Sequence, residues 1–198
     1  MNSFVFSLFR QLFLFLTFTQ QKSNPLVIFD LQNEPDTIAA TTVASVMQAG
    51  INGIRAAGAT QLILVEGTSW SGAWTWTTSS GNAAAFAAGK ITDPQNNIAI
   101  EMHQYLDSDG SGTSATCVSN TIGKERVSAA TAWLKANNYK GFLGEYGGGA
   151  NSVCQTAVRF TSPDPLSANA DYRGRSKVCS AIFKPLAVLG LAHSSGLL

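Results

Sequence analysis

Two glutamates, each closing a short apolar run, are the residues best placed to do chemistry. The first ends Leu26-Val27-Ile28-Phe29-Asp30-Leu31-Gln32-Asn33-Glu34-Pro35, where a nearly unbroken apolar stretch turns abruptly polar. The second ends Gly141-Phe142-Leu143-Gly144-Glu145, ahead of Tyr146 and three glycines. If both runs are strands of one parallel sheet, Glu34 and Glu145 face a single cleft. Two carboxyl groups so placed are the equipment for cleaving a glycosidic bond, one as proton donor and one as nucleophile or base. A glutamate at a strand end is otherwise an ordinary solvated rim residue, so the weight lies on the pair. A third apolar run, Ile98 to Met102, leads into His103 and Tyr105. Residues two apart on a strand point to the same side, so this imidazole and phenol are expected to share the cleft.

A repeating strand and helix pattern must position these groups. The run before Asn33 is rich in aliphatic and β-branched residues, which suits a strand buried on both faces of a parallel sheet. Ile38 to Ala57 predicts a helix, with Val43, Val46, Met47, Gly50, Ile51, Ile54 and Ala57 on one face and Gly58 to end it. Gln61 to Val65 predicts a second strand, completing a βαβ unit. Glu66 to Pro94 has neither period, yet holds Trp70, Trp74 and Trp76 among small polar residues. Indoles on a rim loop suit the apolar faces of sugar rings, and at least one is expected in the cleft. At least one other is expected to pack inward. Asp107 and Asp109 lie in a glycine-rich loop without the EF-hand pattern, so calcium is discounted. Ile122 to Asn137 predicts a helix whose apolar face is Ile122, Ala129, Ala130, Trp133 and Leu134, with Trp133 in the core. The glycines after Glu145 suit a tight rim turn or the close approach of a ligand to the backbone.

Asn33-Glu34-Pro35, the stretch Ile98-Ala99-Ile100-Glu101-Met102-His103-Gln104-Tyr105-Leu106-Asp107, and Gly144-Glu145 together resemble the family 5 glycoside hydrolases, within them the fungal endo-β-1,4-glucanases. The resemblance runs from about Lys22 to Val158. It implies the α/β class and a partial (β/α)8 TIM barrel, strands four to seven with their helices, incomplete or open. In such barrels the C-terminal rim of the strands carries the site. It further implies retaining hydrolysis, with Glu34 as acid and base, Glu145 as nucleophile, and Asn33 bonding the sugar 2-hydroxyl. His103 would contact sugar or carboxylates, Tyr105 would hold Glu145, and Trp70 and Trp74 would line the sugar path. Cys117 and Cys154 would correspond to a disulfide, worth roughly 4 kcal/mol by chain entropy; two buried free thiols are the alternative. No metal and no cofactor is implied. The family also places an Arg and a His from early strands and a Trp from the last strand at the site, and these have no matching positions here. A truncated or impaired copy is therefore expected. The alternatives are a non-catalytic fragment keeping only sugar-binding loops, or a family 5 mannanase or other β-glycanase.

The bulk numbers agree with this reading. The chain has 198 residues, net charge +1, 45% hydrophobic and 13% charged residues. That is enough for one core but short of the about 250 residues typical of a whole barrel. Near-neutral charge gives no reason to expect nucleic acid or an acidic membrane. The expected partner is a β-1,4-glucan polysaccharide or oligosaccharide, with no stable membrane insertion and a monomer when complete. By resemblance the protein is secreted. The three cysteines, Cys117, Cys154 and Cys179, match no zinc spacing. Three regions are expected. Residues 1–21 form a divergent apolar segment, with Met1–Phe18 read either as signal-like or as the product of a misplaced exon boundary. Residues 22–158 form the partial hydrolase domain, and residues 159–198 an irregular tail with a weak apolar element at Ile182 to Leu191.

Overall fold

The computed structural model of the protein describes residues 21–159. The signal-like segment, Cys179 and the tail element therefore lie outside the described residues. Within them the elements alternate: β1 (Phe29–Asp30), α1 (Ala40–Ala56), β2 (Ile63–Glu66), α2 (Asn82–Ala85), β3 (Ile98–Tyr105), α3 (Ile122–Ala136), β4 (Lys140–Gly147) and α4 (Ser152–Arg159). The strands form one sheet in the order β1-β2-β3-β4, and every pairing is parallel. No described helix is long and apolar enough to cross a membrane.

Alternation along the strands separates two faces. Ile63, Val65, Ile98, Ile100 and Met102 pack against Val43, Met47, Ile51 and Ile54 of α1 and Val127 and Ala130 of α3. On the other face Ile28, Leu64 and Ala99 form a smaller cluster with Phe142. Glu66, Glu101, His103 and Tyr105 continue that second face towards the C-terminal rim, at period two from Leu64 and Ala99. The sheet thus turns its apolar side to the helices and carries its ionisable groups inward.

Several local expectations shift. β1 is two residues long at the outside of the sheet, with Phe29 half-buried and Asp30 exposed, so it is not buried on both faces. Val46 is exposed, because it lies roughly 60° around the helix from Val43, just off the stripe formed by Val43, Met47, Ile51 and Ile54. Gly58 ends α1 as expected, at φ +86 with its N–H bonded to the Arg55 carbonyl. In α3, Ala129 is exposed and the buried stripe instead includes Arg126. Trp133 does pack inward, in a chain of ring contacts linking Trp76, Trp133 and Tyr139, with Phe86 against Trp76.

Candidate active site

The C-terminal ends of the four strands converge on His103. Its Nδ1 lies 2.8 Å from Glu34 Oε1 and 3.7 Å from Glu145 Oε2. Its Nε2 lies 3.4 Å from Glu101 Oε1 and 3.8 Å from Glu66 Oε1. Tyr105 donates from its hydroxyl to Glu145 Oε2 at 3.0 Å. One carboxylate oxygen each of Glu34 and Glu145 and a His103 nitrogen all lie within 4.8 Å of one another. Glu34 follows β1 in the left-handed region at φ +47, and its N–H donates to Glu66 Oε2 at 2.8 Å. A non-glycine residue held there is strained, and such strain concentrates at functional sites.

An irregularity in the sheet brings Glu145 to this point. The register runs Met102↔Leu143 and then His103↔Glu145, so Gly144 is the extra residue of a bulge. A Cβ on Gly144 would collide with Glu101 Oε1, so the bulge needs glycine. Bulges re-aim side chains in this way near functional sites.

Charge in the cluster is far from even. Burial alone would lower the pKa of His103. Its hydrogen bonds to Glu101 and Glu34 and the charges of Glu66 and Glu145 outweigh that and raise it to about 9. His103 is therefore an imidazolium at neutral pH. Burial also drives Glu66 up, to about 8; His103 and the Glu34 N–H pull it down, while Glu101 and Asp30 push it further up. Tyr105 is raised to about 12 by burial and by its bond to Glu145, so it stays a donor. Two groups could offer a cation three ligands, Glu34 with His103 and Glu145, and Glu66 with Glu101 and His103. Both share His103, whose proton occupies the lone pair a metal would need.

The other predicted site residues are spread around this centre. Asn33 is exposed beside Glu34. Of the three loop tryptophans, Trp76 is fully buried, while Trp70 and Trp74 keep 57% and 45% of their surface exposed. Ser69, Trp70 and Ser71 all have left-handed φ, from 51 to 56, and the Trp70 N–H bonds to the Pro35 carbonyl. The loop therefore leans on the turn that carries Glu34. Trp74 has the Arg126 guanidinium 4.2 Å above its ring, and its N–H donates to Gln104. Cys117 and Cys154 form a disulfide with Cα atoms 5.3 Å apart. It explains part of the glycine run after Tyr146: a Cβ on Gly148 would lie 2.6 Å from Cys117 Sγ, and one on Gly149 would meet the Ala115 carbonyl. These two glycines make room for the disulfide loop. Asp107 serves that loop too, accepting from the N–H groups of Gly112 and Ser114 and from Ser111.

Comparison with known proteins agrees with this geometry. A family model described as cellulase, glycosyl hydrolase family 5, matches residues 16–163. The chain belongs to glycosyl hydrolase family 5. It is 58% identical over 139 residues to a probable endo-β-1,4-glucanase B of Aspergillus niger, covering 70% of this chain and 40% of that protein. Among solved structures it resembles XacCel5A in complex with cellopentaose, with TM-score 0.70 and 42% identity over 73% of this chain and 47% of that one. It also resembles Cel5A of Hypocrea jecorina, with TM-score 0.65 and 35% identity over 73% of this chain and 45% of that one. The chain thus spans about 40% of the length of that curated relative. Its four-stranded sheet is part of the family 5 (β/α)8 barrel.

Four residues around His103 and its neighbours were not singled out from the sequence: Glu66, Glu101, Gln104 and Arg126. Two of them carried a signal. Glu101 sits at period two before His103, and Glu66 closes a strand as Glu34 and Glu145 do. Arg126 carried none, since an arginine within an amphipathic helix reads as solvent-facing.

Proposed function

We propose that the protein is a retaining endo-β-1,4-glucanase, its hydrolase domain covering residues 22–158. The observation that carries this reading is that Glu34 Oε1 and Glu145 Oε2 lie 2.8 and 3.7 Å from the same His103 Nδ1, which brings an oxygen of each carboxyl within 4.8 Å of the other. Retaining glycosidases hold their carboxyl groups about 5–5.5 Å apart, whereas inverting enzymes need roughly 6.5–9.5 Å to admit water. Glu34 protonates the glycosidic oxygen as the C–O bond breaks, while Glu145 attacks the anomeric carbon and forms a glycosyl ester. Glu34, now a carboxylate, takes a proton from water, whose oxygen displaces Glu145 and regenerates both groups. Tyr105 aligns the Glu145 oxygen it bonds, and His103, whose Nδ1 lies 2.8 Å from Glu34 Oε1 and 3.7 Å from Glu145 Oε2, holds the two carboxyl groups in position. Asn33 bonds the sugar 2-hydroxyl, and Trp70 and Trp74 offer exposed indole faces for sugar stacking.

The glucan substrate is supported by relatives named endo-β-1,4-glucanase and by the cellopentaose complex of XacCel5A. Export is supported by the Cys117–Cys154 disulfide, a bond that persists in oxidising compartments. The complete enzyme is read as a monomer, and this double displacement calls on no metal or cofactor. The test is hydrolysis of carboxymethyl cellulose and soluble cello-oligosaccharides, beside Glu145→Gln. Hydrolysis with retention of anomeric configuration is expected, its rate lowered at least about a thousandfold in Glu145→Gln. A version carrying the remaining family strands is expected to exceed the 198-residue chain by about a hundredfold or more, because positioning groups commonly contribute that much each. Faster turnover of mannan than of glucan, or turnover surviving Glu145→Gln, overturns the reading.

A further inference from the structure

Behind Glu34 and Glu145 lies a second pair of carboxyls that the proposed chemistry does not use. Glu66 on β2 and Glu101 on β3 are direct partners across the parallel ladder, and both are buried. Like charges placed side by side on a sheet repel, and burial makes them worse. Each also leaves one buried oxygen without a hydrogen bond, Oε1 of Glu66 and Oε2 of Glu101. A carboxylate with an unpaired buried oxygen is costly, and two adjacent ones more so. A single proton on the pair removes the repulsion and turns one buried oxygen from an unpaired anion into a neutral group.

We propose that Glu66 holds this proton as a neutral carboxylic acid beside Glu101, and that the pair positions the candidate catalytic groups. Glu66 is the better holder for a geometric reason. Glu101 Oε1 faces His103 Nε2 at 3.4 Å, whereas the nearest Glu66 oxygen is 3.8 Å from the same nitrogen. Glu66 also has the negative charges of Glu101 and of Asp30 on β1 as neighbours, and burial, the largest influence, raises it to about 8. Its second oxygen is occupied by the Glu34 N–H at 2.8 Å, the bond that holds the left-handed turn bearing that residue. Glu101 in turn anchors the back of the His103 ring, whose front nitrogen holds Glu34. Both members of the pair thus act on Glu34, one through its backbone and one through His103. This rests on the reading of Glu34 as the acid and base.

The chain has five glutamates, Glu34, Glu66, Glu101, Glu125 and Glu145, and two histidines, His103 and His193, so its carboxyl and imidazole signals are few. The experiment titrates the full chain with ¹³C-carboxyl-labelled glutamate. One carboxyl carbon is expected to titrate near pH 8, the value to which Glu66 is raised, and to vanish in Glu66→Gln. Gln copies a carboxylic acid, with one acceptor for the Glu34 N–H and one donor towards Glu101. At pH 7 the ¹⁵N signals of His103 in Glu66→Gln should therefore match the wild type. Glu66→Leu, which offers neither group, should lower kcat more than about tenfold at unchanged KM. Titration of every glutamate below about pH 6 in the wild type overturns the proposal with no variant needed. A late titration that survives Glu66→Gln overturns it too. Because the carboxyl titration needs no turnover, a failed hydrolysis reading leaves this result standing on its own.

Discussion

The described sheet carries a buried ionic cluster near each end of its strands, and the two follow opposite rules. Near the N-terminal ends of β2 and β3, Arg55 meets Asp93 one charge for one. Nε and Nη2 of Arg55 bond the two Asp93 oxygens at 2.7 and 2.8 Å, and Nη1 and Nη2 also reach the carbonyls of Ala59, Gln61 and Asn97. Asp93 also accepts from the N–H groups of Gln95 and Asn97. At the C-terminal ends one imidazolium stands among four carboxyl groups, with two oxygens unpaired and Glu34 in a strained backbone region. The first cluster is closed and can only hold the fold together. The second leaves charge unbalanced beside the partly exposed carboxyls of Glu34 and Glu145, which is the condition for proton transfer and nucleophilic attack. Stability is given up at such sites in exchange for reactivity.

The largest expected effect is on the unbalanced end. His103→Leu removes the cation that, among the described residues, directly contacts the four carboxyl groups, and should lower stability by about 3–5 kcal/mol or more at pH 7, measured by urea denaturation. A loss smaller than that of Asp93→Leu breaks the comparison.

Asp93→Leu strands Arg55 and should remove about 3 kcal/mol, and the double replacement Arg55→Met with Asp93→Leu should restore most of it, because a balanced buried pair can be exchanged for apolar packing. Hydrolysis should be unaffected in the double variant. A tenfold fall in its kcat would show that the two ends are coupled.

Next comes pH. His103 is raised from 6.5 to about 9 and Glu66 from 4.5 to about 8, so the native state holds these protons more tightly than the unfolded chain. Their stabilisation is complete below the unfolded values and is lost as pH rises, the Glu66 part between 4.5 and about 8 and the His103 part between 6.5 and about 9. Asp93 is lowered from 3.8 by its bonds to Arg55 and to the Asn97 N–H, against an opposing push from burial, so its stabilisation is lost as pH falls. The thermal midpoint should therefore peak near pH 5 and decline towards 9. In the double variant the acid side should flatten while the alkaline decline remains. A midpoint that rises between pH 6 and 9 refutes this assignment.

The smallest effect belongs to Tyr105→Phe. Deleting one partly buried hydrogen bond should change stability by only about 0.5–1.5 kcal/mol, while misalignment of Glu145 lowers kcat by about tenfold. A stability loss above about 3 kcal/mol would make Tyr105 a structural residue.

Much of the scaffold was legible in the residue order. The periods of α1 and α3 and the apolar strand runs are local patterns, and so is the placing of Glu34, His103 and Glu145 at strand ends. Val46 and Ala129 show the limit of such patterns, since a residue just off the stripe is decided by what packs beside it. The glycines after Tyr146 show another. Room for a ligand and room for a disulfide look identical in sequence, and only the position of Cys117 against Gly148 separates them.

What the sequence determined by itself is the family, the parallel strand and helix alternation, and the pair of glutamates with His103 and Tyr105 on the rim. These depend on residue type and spacing along the chain. What only the tertiary structure decided is the electrostatic design: that the bulge at Gly144 sets Glu145 against His103, that Glu66 and Glu101 are ladder partners, and that Arg126 covers Trp74. Each of these depends on strand register and on burial, which are set by contacts between residues distant in sequence. The charge a carboxyl carries depends in turn on which neighbours and how little water those contacts leave around it.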